Sequence, residues 1–233
     1  AERLASLEAI ASGMVHEIRN PLVSLKAFAQ LLPKRGQEPE FRDRFARVAE
    51  REITRIDDLL GRFRTLSSAP SQPMEPVEIP TPLRATLELL EPEMQARHIR
   101  LRQVADGNPR PVLGNASQLQ QLFHNLCLNA IEAMKPGGEL TVRVADLTEG
   151  GGMTLNVEVS DTGPGIPVDL LPRIFNPFVT TKSRGSGLGL AICSSIADAH
   201  RATLRARNNP HRSGATFTVE FPVIAELAAR VTT

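Results

Sequence analysis

The sequence predicts an α+β protein in which a helical hairpin precedes a sandwich of helices on a sheet. Apolar residues recur at spacings of three and four along two long N-terminal stretches, which is the pattern of amphipathic helices. A stretch rich in Ser and Pro follows at 67–76 and indicates a linker. Beyond it, short segments with apolar residues at alternate positions are interspersed with helical patterns, as in an α+β sandwich.

The two helical stretches run over 4–32 and 41–66, and Pro33 and Gly36 mark the end of the first. The polar segment KRGQEPE connects them, so an antiparallel hairpin is expected. Two helices cannot enclose a core, and both apolar stripes are broad. A symmetric dimer that forms a four-helix bundle is therefore favoured over packing of the hairpin on the rest of its own chain.

The rest of the chain yields a further set of predicted elements. They are strands at 77–79, 99–103, 112–113, 140–144, 155–159 and 217–221, and helices at 82–97, 117–134 and about 187–199. The predicted division is a hairpin over 1–67, a linker over 68–76, a second domain over 77–223 and a C-terminal tail over 224–233.

Net charge, cysteine spacing and the lengths of the apolar runs argue against several classes of function. The formal net charge of +1 argues against non-specific nucleic-acid binding. Cys127 and Cys193 lack metal-ligand spacing and are expected to be small apolar residues in a reducing compartment. No apolar run is long enough for a membrane span and there is no signal peptide, so we expect a cytoplasmic portion without membrane contact. The helical pattern already runs at Leu4, as in a piece of a longer protein, and an upstream membrane anchor is left open.

A histidine in the first predicted helix is followed closely by a carboxylate, an amide and a proline. His16 and Asn20 lie one turn apart on the same face, whereas Glu17 is about 100° round from His16. Pro21 has no N–H for the carbonyl of Glu17, so a bend is expected there. Taken alone, a single histidine on a helix is a solvated or core side chain.

The helix predicted at 117–134 carries two amides one turn apart, Asn125 and Asn129, followed along a similar face by Glu132 and Lys135. Amide oxygens suit Mg²⁺, which keeps several waters and takes phosphate oxygens from a nucleotide. Amides in an apolar helix are costly to bury without such a partner. Capping or buried hydrogen-bonding amides are the equally weighted alternative.

Two glycine-rich segments follow. Asp161 ends a strand ahead of Gly163 and Gly165, where a carboxylate can accept from the exocyclic amine of adenine, although the pattern is weak by itself. Residues 174–182 supply two aromatics, two hydroxyls and a cation. The glycine-rich run that starts at Gly185 then opens a helix, which is a phosphate-binding arrangement. The long loop over 162–186 is typical of a functional lid.

In this order the segments resemble the sensor histidine kinases of two-component signalling over nearly the whole chain. The sequence HEIRNP at 16–21 resembles the H box, 118–134 the N box, 161–165 the G1 box, 175–178 the F box and 185–189 the G2 box. The run of Phe-Val-Thr-Thr-Lys into Gly-Ser-Gly-Leu-Gly is most similar to the nitrogen-regulatory branch.

The resemblance implies a dimerisation and histidine-phosphotransfer hairpin followed by a Bergerat-type α/β sandwich that binds ATP. It implies that His16 is the phosphoacceptor, that Glu17 takes or orients its proton, and that Asn20 positions water for phosphatase activity. It also implies a homodimer, a response regulator whose receiver-domain aspartate accepts the phosphoryl group, and Mg²⁺ on Asn129. The expected ATP-binding residues are Asn125, Asn129, Glu132, Lys135, Asp161, Gly163, Gly165, Ile166, Phe178, Thr180, Thr181, Lys182, Gly185, Ser186, Gly187, Leu188 and Gly189.

Two other classes stay open at this point. An ATPase of the gyrase and chaperone type resembles the same nucleotide fold, but it carries a water-activating glutamate where this chain has Asn125. A dimeric nucleotide-binding scaffold without phosphotransfer is the second alternative. One departure from the family is His200-Arg201-Ala202, where two glycines commonly follow the histidine, so the tightness of that turn is in question. His98, His124, His200 and His211 are expected to be structural or solvent-facing.

Overall fold

The computed structural model describes residues 2–67, 73–107, 109–149, 152–182, 186–210 and 213–223. The chain forms two compact units. One comprises Ala1–Ala69 with Pro177–Leu188, and the other comprises Pro70–Asn176 with Gly189–Thr233. Within the described ranges, no helix is both long and apolar enough to cross a membrane.

The predicted helical hairpin is confirmed. Helix α1 spans Glu2–Arg35 and helix α2 spans Pro39–Ser67. Near the turn, the Phe28 ring packs between those of Phe41 and Phe45, with centroids 6.0 and 6.2 Å apart. The connection is shorter than predicted, because the start of KRGQEPE still belongs to α1 and Pro39 begins α2, as proline commonly does at the first helical position.

Helix α1 continues through both of its prolines, Pro21 and Pro33. The prediction that Pro33 marks the end of this helix is therefore wrong. The end comes at Arg35, where the Gly36 N–H still donates to the Leu32 carbonyl at 2.8 Å. The bend expected at Pro21 remains a prediction.

The second unit contains three helices, seven strands and a short 3₁₀ turn at Leu171–Arg173, counted over its described residues. In chain order the elements are β1 Glu75–Val77, α3 Pro80–Ala96, β2 Arg100–Asp106, β3 Val112–Gly114, α4 Ala116–Ala133, β4 Glu139–Glu149, β5 Gly152–Ser160, α5 Gly189–Ala199, β6 Thr203–Asn208 and β7 Ala215–Pro222.

The main sheet has the order β2-β4-β5-β7-β6, with β2 parallel to β4 and every other pair antiparallel, while β1 and β3 form a separate two-stranded ribbon. Alternate residues of central strand β5, such as Val157 and Val159, are fully buried, whereas Asn156 and Glu158 point to the opposite, polar face. On the apolar face, Phe123 of α4 meets Phe221 of β7 edge to face at 6.5 Å. The result is the predicted α/β sandwich.

Three details of the prediction are wrong. The first strand of this unit lies at Glu75–Val77 and not at 77–79, because Ile79 already has helical backbone angles, with φ −52° and ψ −37°, and precedes α3, which starts at Pro80. Helix α5 begins at Gly189 and not near Gly187, whose φ of +66° is not helical. Strand β6 was not predicted, because its charged residues alternate with few large apolar ones on an edge strand.

The turn after α5 keeps its shape without glycine. The N–H groups of Arg201 and Ala202 donate to the carbonyls of Asp198 and Ala197 at 3.0 and 2.9 Å, which is the hydrogen-bond pattern of a Schellman motif. Arg201 has the left-handed φ of 53° that glycine would adopt without strain. The departure from the family at this position therefore changes the cost of the turn, by about 1 kcal/mol, and not its geometry.

His200 joins the two helices that carry most of the candidate site. Its Nε2 accepts from the backbone N–H of Asn115, the N-cap of α4, at 2.9 Å, and its Nδ1 donates to the Ile196 carbonyl of α5 at 2.7 Å. This pairing requires the neutral ring. Burial lowers the pKa of His200 below its ordinary value of 6.5, although the hydrogen bond to Ile196 opposes the effect. His200 is structural, as expected.

His200 should make stability depend on pH. The unfolded chain takes up this proton near pH 6.5 and the folded chain only at lower pH, so the stabilisation is complete above pH 6.5 and is lost as pH falls through it. We expect the unfolding free energy to fall by up to about 1.4 kcal/mol per pH unit below 6.5, and this slope to shrink in His200→Gln. Urea melts from pH 7.5 to 5.5 measure it, with exposed His98→Gln as the control. Equal slopes in wild type and His200→Gln would contradict this role.

Candidate functional site

The stretch around His16 lies within α1, but the side chain of His16 is outside the described part of the structure. Asn20 is exposed one turn further along. Glu17 is directed towards α2, where its Oε2 accepts from Nη2 of Arg55 at 3.2 Å. Arg55 was not foreseen, because no local sequence pattern relates residues 38 positions apart.

Helix α4 carries the predicted amides on well-anchored backbone. Asn115 caps it by accepting from the Gln118 N–H at 3.0 Å. Nδ2 of Asn125 is buried beside the thiol of Cys193, and among the described residues it has no other hydrogen-bond partner. Nδ2 of Asn129 lies 3.8 Å from where a Cβ on Gly189 would sit, so the second amide faces the start of α5.

Glu132 and Lys135 do not continue along one helical face. Both are exposed, but α4 ends at Ala133 and the chain turns extended at Met134. Pro136 disfavours helical conformation at Lys135, the residue directly before it, so the helix does not extend through Lys135. Lys135 therefore projects from a loop, and its predicted helical spacing from Asn129 is wrong.

Asp161 is the most enclosed of the predicted polar residues, with 3% of its surface exposed. Its Oδ1 accepts from the N–H of Gly163 at 2.7 Å and from that of Ala215 at 3.3 Å. A Cβ at Gly163 would lie 2.9 Å from this carboxylate oxygen and 3.1 Å from the carbonyl of Ala133. Glycine is required here because the turn packs directly between Asp161 and the end of α4.

Three residues that sequence reasoning missed hold this turn. Oδ1 of Asn208 accepts from the Ile166 N–H, and its Nδ2 donates to the Ile166 carbonyl, both at 2.7 Å. Nδ2 of Asn209 donates to the Asp161 carbonyl at 3.1 Å, while the Thr216 hydroxyl donates to Oδ1 of Asn209 at 2.6 Å. Asn208 and Asn209 stand in front of Pro210, and this pattern could have indicated a built turn.

Segment Pro177–Leu188 belongs to the first compact unit and is held by its own contacts. The Phe178 N–H donates to the Gly187 carbonyl at 2.9 Å, and a Cβ on Gly187 would come within 2.4 Å of the Phe178 carbonyl carbon, so a side chain is excluded. The Lys182 N–H donates to Oγ1 of Thr180 at 3.0 Å, and the Leu188 N–H to Oγ of Ser186 at 3.4 Å.

The remaining predicted ATP-binding residues of this segment differ in their exposure. Thr181 is exposed, whereas Leu188 is fully buried, so only its backbone could meet a ligand. Gly185 lies outside the described residues.

The two cysteines are buried, as expected, and are unsuited to nucleophilic chemistry. Burial raises the pKa of the Cys127 thiol to about 12, and it raises the pKa of Cys193 still further. Cys193 lies beside Asn125 and points its Sγ at the Leu122 carbonyl, 3.7 Å away. Both thiols stay protonated and pack as small apolar groups.

These residues fit a nucleotide with its metal. The amides of Asn125 and Asn129 are one turn apart on α4, and Asn129 faces the start of α5, where backbone N–H groups can bind phosphate. In the described part of the chain, no group of three His, Cys, Asp or Glu side chains is placed to hold a metal. Mg²⁺ does not need one, because it binds through one or two protein oxygens, waters and the phosphates of its nucleotide.

Fold and site together define a class, namely a nucleotide-binding α/β sandwich joined to a helical hairpin. Two family models match the chain: His Kinase A (phospho-acceptor) domain over residues 6–72, and Histidine kinase-, DNA gyrase B-, and HSP90-like ATPase over residues 114–225. The chain belongs to the sensor histidine kinases of two-component systems, as their catalytic core.

Individual relatives agree with this assignment. Sensor histidine kinase ZraS of Escherichia coli K12 is 32% identical over 95% of this chain and 47% of its own length, so the chain spans about half of that relative. The nucleotide-free catalytic domain of histidine kinase ThkA is 30% identical, with a TM-score of 0.58, over 65% of this chain and 96% of that one. ThkA in complex with response regulator protein TrrA is 26% identical, with a TM-score of 0.78, over 97% of this chain and 64% of that one.

Asn208 gives a test of the turn at Asp161. Asn208→Ala removes two short hydrogen bonds to Ile166, so we expect the unfolding free energy to fall by about 1–2 kcal/mol and nucleotide affinity to fall as well. Urea melts and titration with trinitrophenyl-ATP measure the two effects, and Gln103→Ala on β2 is the control. Lower stability with unchanged nucleotide affinity would show that Asn208 supports the fold alone.

Proposed function

We propose that this chain transfers the γ-phosphoryl group of ATP to His16 and then to an aspartate on the receiver domain of a response regulator. The observation that carries the proposal is the buried Asp161 carboxylate in a chain whose N-terminal hairpin matches a phospho-acceptor domain. That carboxylate ends strand β5 beside a turn only glycine can form. The use of ATP as substrate implies that this portion works in the cytoplasm.

The second unit supplies the nucleotide-binding residues of the proposal. Asp161 recognises the adenine amine, while Asn125, Asn129 and Lys135 face the phosphates. Gly163, Gly165 and Ile166 form the wall beside the base, and the N-terminus of α5 at Gly189 presents backbone N–H groups to the phosphates. Glu132 completes the predicted set on α4. We keep the division into 1–67, 68–76, 77–223 and 224–233 as part of this proposal.

The segment over 177–188 supplies the lid. Phe178, Thr180, Thr181 and Lys182 contribute an aromatic ring, two hydroxyls and a cation, and Gly185, Ser186, Gly187 and Leu188 contribute backbone N–H groups. The cation of Lys182 would offset charge on the transferred phosphoryl group.

The proposed transfer is an in-line displacement at the γ-phosphorus of ATP. A ring nitrogen of neutral His16 forms a bond to the γ-phosphorus, the bond from that phosphorus to the bridging oxygen breaks, and ADP leaves with the electron pair. Glu17 accepts or orients the proton on the other ring nitrogen. Mg²⁺, held through Asn129, would neutralise charge on the phosphates. The phosphohistidine then passes its phosphoryl group to the partner's aspartate. In the phosphatase activity, Asn20 orients the water that hydrolyses the partner's phosphoaspartate and releases phosphate.

The partner follows from the chemistry and from one relative. A phosphohistidine needs an acceptor, and the solved complex of ThkA with TrrA joins a histidine kinase to a response regulator. We extend that partnership to this chain. The net charge of +1 gives no reason to propose nucleic acid as a partner.

An ATPase is the second candidate function, because one matching family model also covers gyrase- and chaperone-like ATPases. The structure favours the kinase. Hydrolysis in that class uses a glutamate one turn before the metal-binding amide, and Asn125 occupies that position with its Nδ2 buried. An amide can orient water but cannot take its proton.

Incubation with γ-labelled ATP tests the proposal. We expect acid-labile, alkali-stable label on the protein that is absent in His16→Gln. In Asn129→Ala we expect Mg²⁺-dependent nucleotide binding to be lost with the dimer intact. Steady phosphate release from an unlabelled protein would support the ATPase instead. Nucleotide binding with neither outcome would leave a scaffold.

We also propose a homodimer formed through the hairpin. Val15 and Leu22 on α1, and Ile53 and Leu60 on α2, are all about half exposed. Each pair is seven residues apart, which places its members on one seam two turns apart, as in bundles of helices. A single hairpin leaves these apolar side chains in water, and a second copy would cover them.

Charge on that seam should prevent the dimer. In the double variant Ile53→Glu/Leu60→Glu we expect a monomer at micromolar concentration, because two buried carboxylates without partners would oppose association. Sedimentation equilibrium measures the mass, and Leu89→Glu on α3 of the second unit, where the side chain is also exposed, is the control. A variant that remains dimeric would refute this interface.

A further inference from the structure

The ion pair between Glu17 and Arg55 gives Glu17 a partner that the transfer reaction does not include. Their Oε2 and Nη2 atoms are 3.2 Å apart, and the pair joins α1 to α2 across the hairpin. Two other charged pairs among the described side chains of the hairpin, Arg35 with Glu38 and Arg51 with Glu52, join residues close in sequence. Arg55 therefore acts on the one carboxylate that directly follows the phosphoacceptor.

The direction of Glu17 conflicts with its proposed role. Successive residues on a helix point about 100° apart, and adjacent side chains do not face one another. A charge-assisted hydrogen bond to Arg55 holds the carboxylate towards α2. By helical spacing alone, proton acceptance from His16 would require a different rotamer of Glu17.

Glu52, another carboxylate near Arg55 on α2, is paired with a different arginine. Glu52, one turn before Arg55 on α2, is nearly buried, but its Oε1 already accepts from Nη2 of Arg51 at 3.0 Å. The nearest carboxylate on the N-terminal side of Arg55 is thus paired with another arginine.

We propose that Arg55 is a positioning residue that holds Glu17 against α2, and that release of this pair precedes proton acceptance from His16. The proposal rests on the proposed function. Glu17 and Arg55 are 25% and 41% exposed, so their pair is weak and acts as a restraint on the rate. Because a partly exposed ion pair is weak, we expect its loss to change the rate of label transfer by at most about fivefold.

The experiment measures the initial rate of label transfer from saturating γ-labelled Mg-ATP to the 233-residue chain. Arg55→Met keeps the length of the side chain and removes its charge. We expect it to raise the rate about two- to fivefold with an unchanged KM for ATP. Arg55→Lys, which keeps the charge, should stay near wild type, as should Arg47→Met, which removes an exposed charge elsewhere on α2.

A second background separates positioning from a general effect on the fold. In Glu17→Gln, which has no carboxylate to release, Arg55→Met should give no increase. Salt supplies an independent measurement on unmutated Arg55: a rise from 0.05 to 0.5 M should speed labelling of wild type, because screening weakens the pair, but not of Glu17→Gln.

An unchanged or slower rate in Arg55→Met would overturn the inference, as would an increase that persists in Glu17→Gln. If Arg55→Met does not fold, the absence of a salt effect that depends on Glu17 would overturn it equally. Failure of wild type to acquire label that depends on His16 would instead overturn the proposed function, and this inference with it.

Discussion

A buried carboxylate at the end of the central strand is the constraint on which the second unit depends. Asp161 is almost inaccessible to water, and a charge in that position is unfavourable unless hydrogen-bond donors surround it. The N–H groups of Gly163 and Ala215 donate to it, and Asn209 donates to its carbonyl. The glycine turn, the start of β7 and the turn between β6 and β7 are therefore arranged around a single side chain.

A single side chain also connects two helices of the second unit. His200, at the end of α5, accepts from the N-cap of α4, so the helix with the two amides and the helix that starts at Gly189 share one neutral imidazole. The same ring makes this arrangement sensitive to acid. The hairpin contrasts with it, because Glu17, beside the proposed phosphoacceptor, makes only a part-exposed ion pair, which contributes little stability.

The errors in the sequence-based prediction have a common origin. Periodicity located helices and strands well where apolar residues dominate, as in α4 and β5. It placed Gly187 in helix α5, but the positive φ of Gly187 keeps it outside the helix. It also placed Lys135 in line with helix α4, but that helix ends at Ala133, shortly before Pro136. It missed β6 because an edge strand needs few apolar residues and is identified by its partner β7.

The sequence by itself determined the helical hairpin, the α/β sandwich and the order of the motifs, because apolar periodicity and the positions of glycine and proline are local properties of the chain. Only the tertiary structure decided which groups serve the motif residues. Asn208 reaches Ile166 from 42 positions away, and Arg55 reaches Glu17 from 38. Contacts of this kind depend on how strands and helices pack, and no spacing along the chain encodes them.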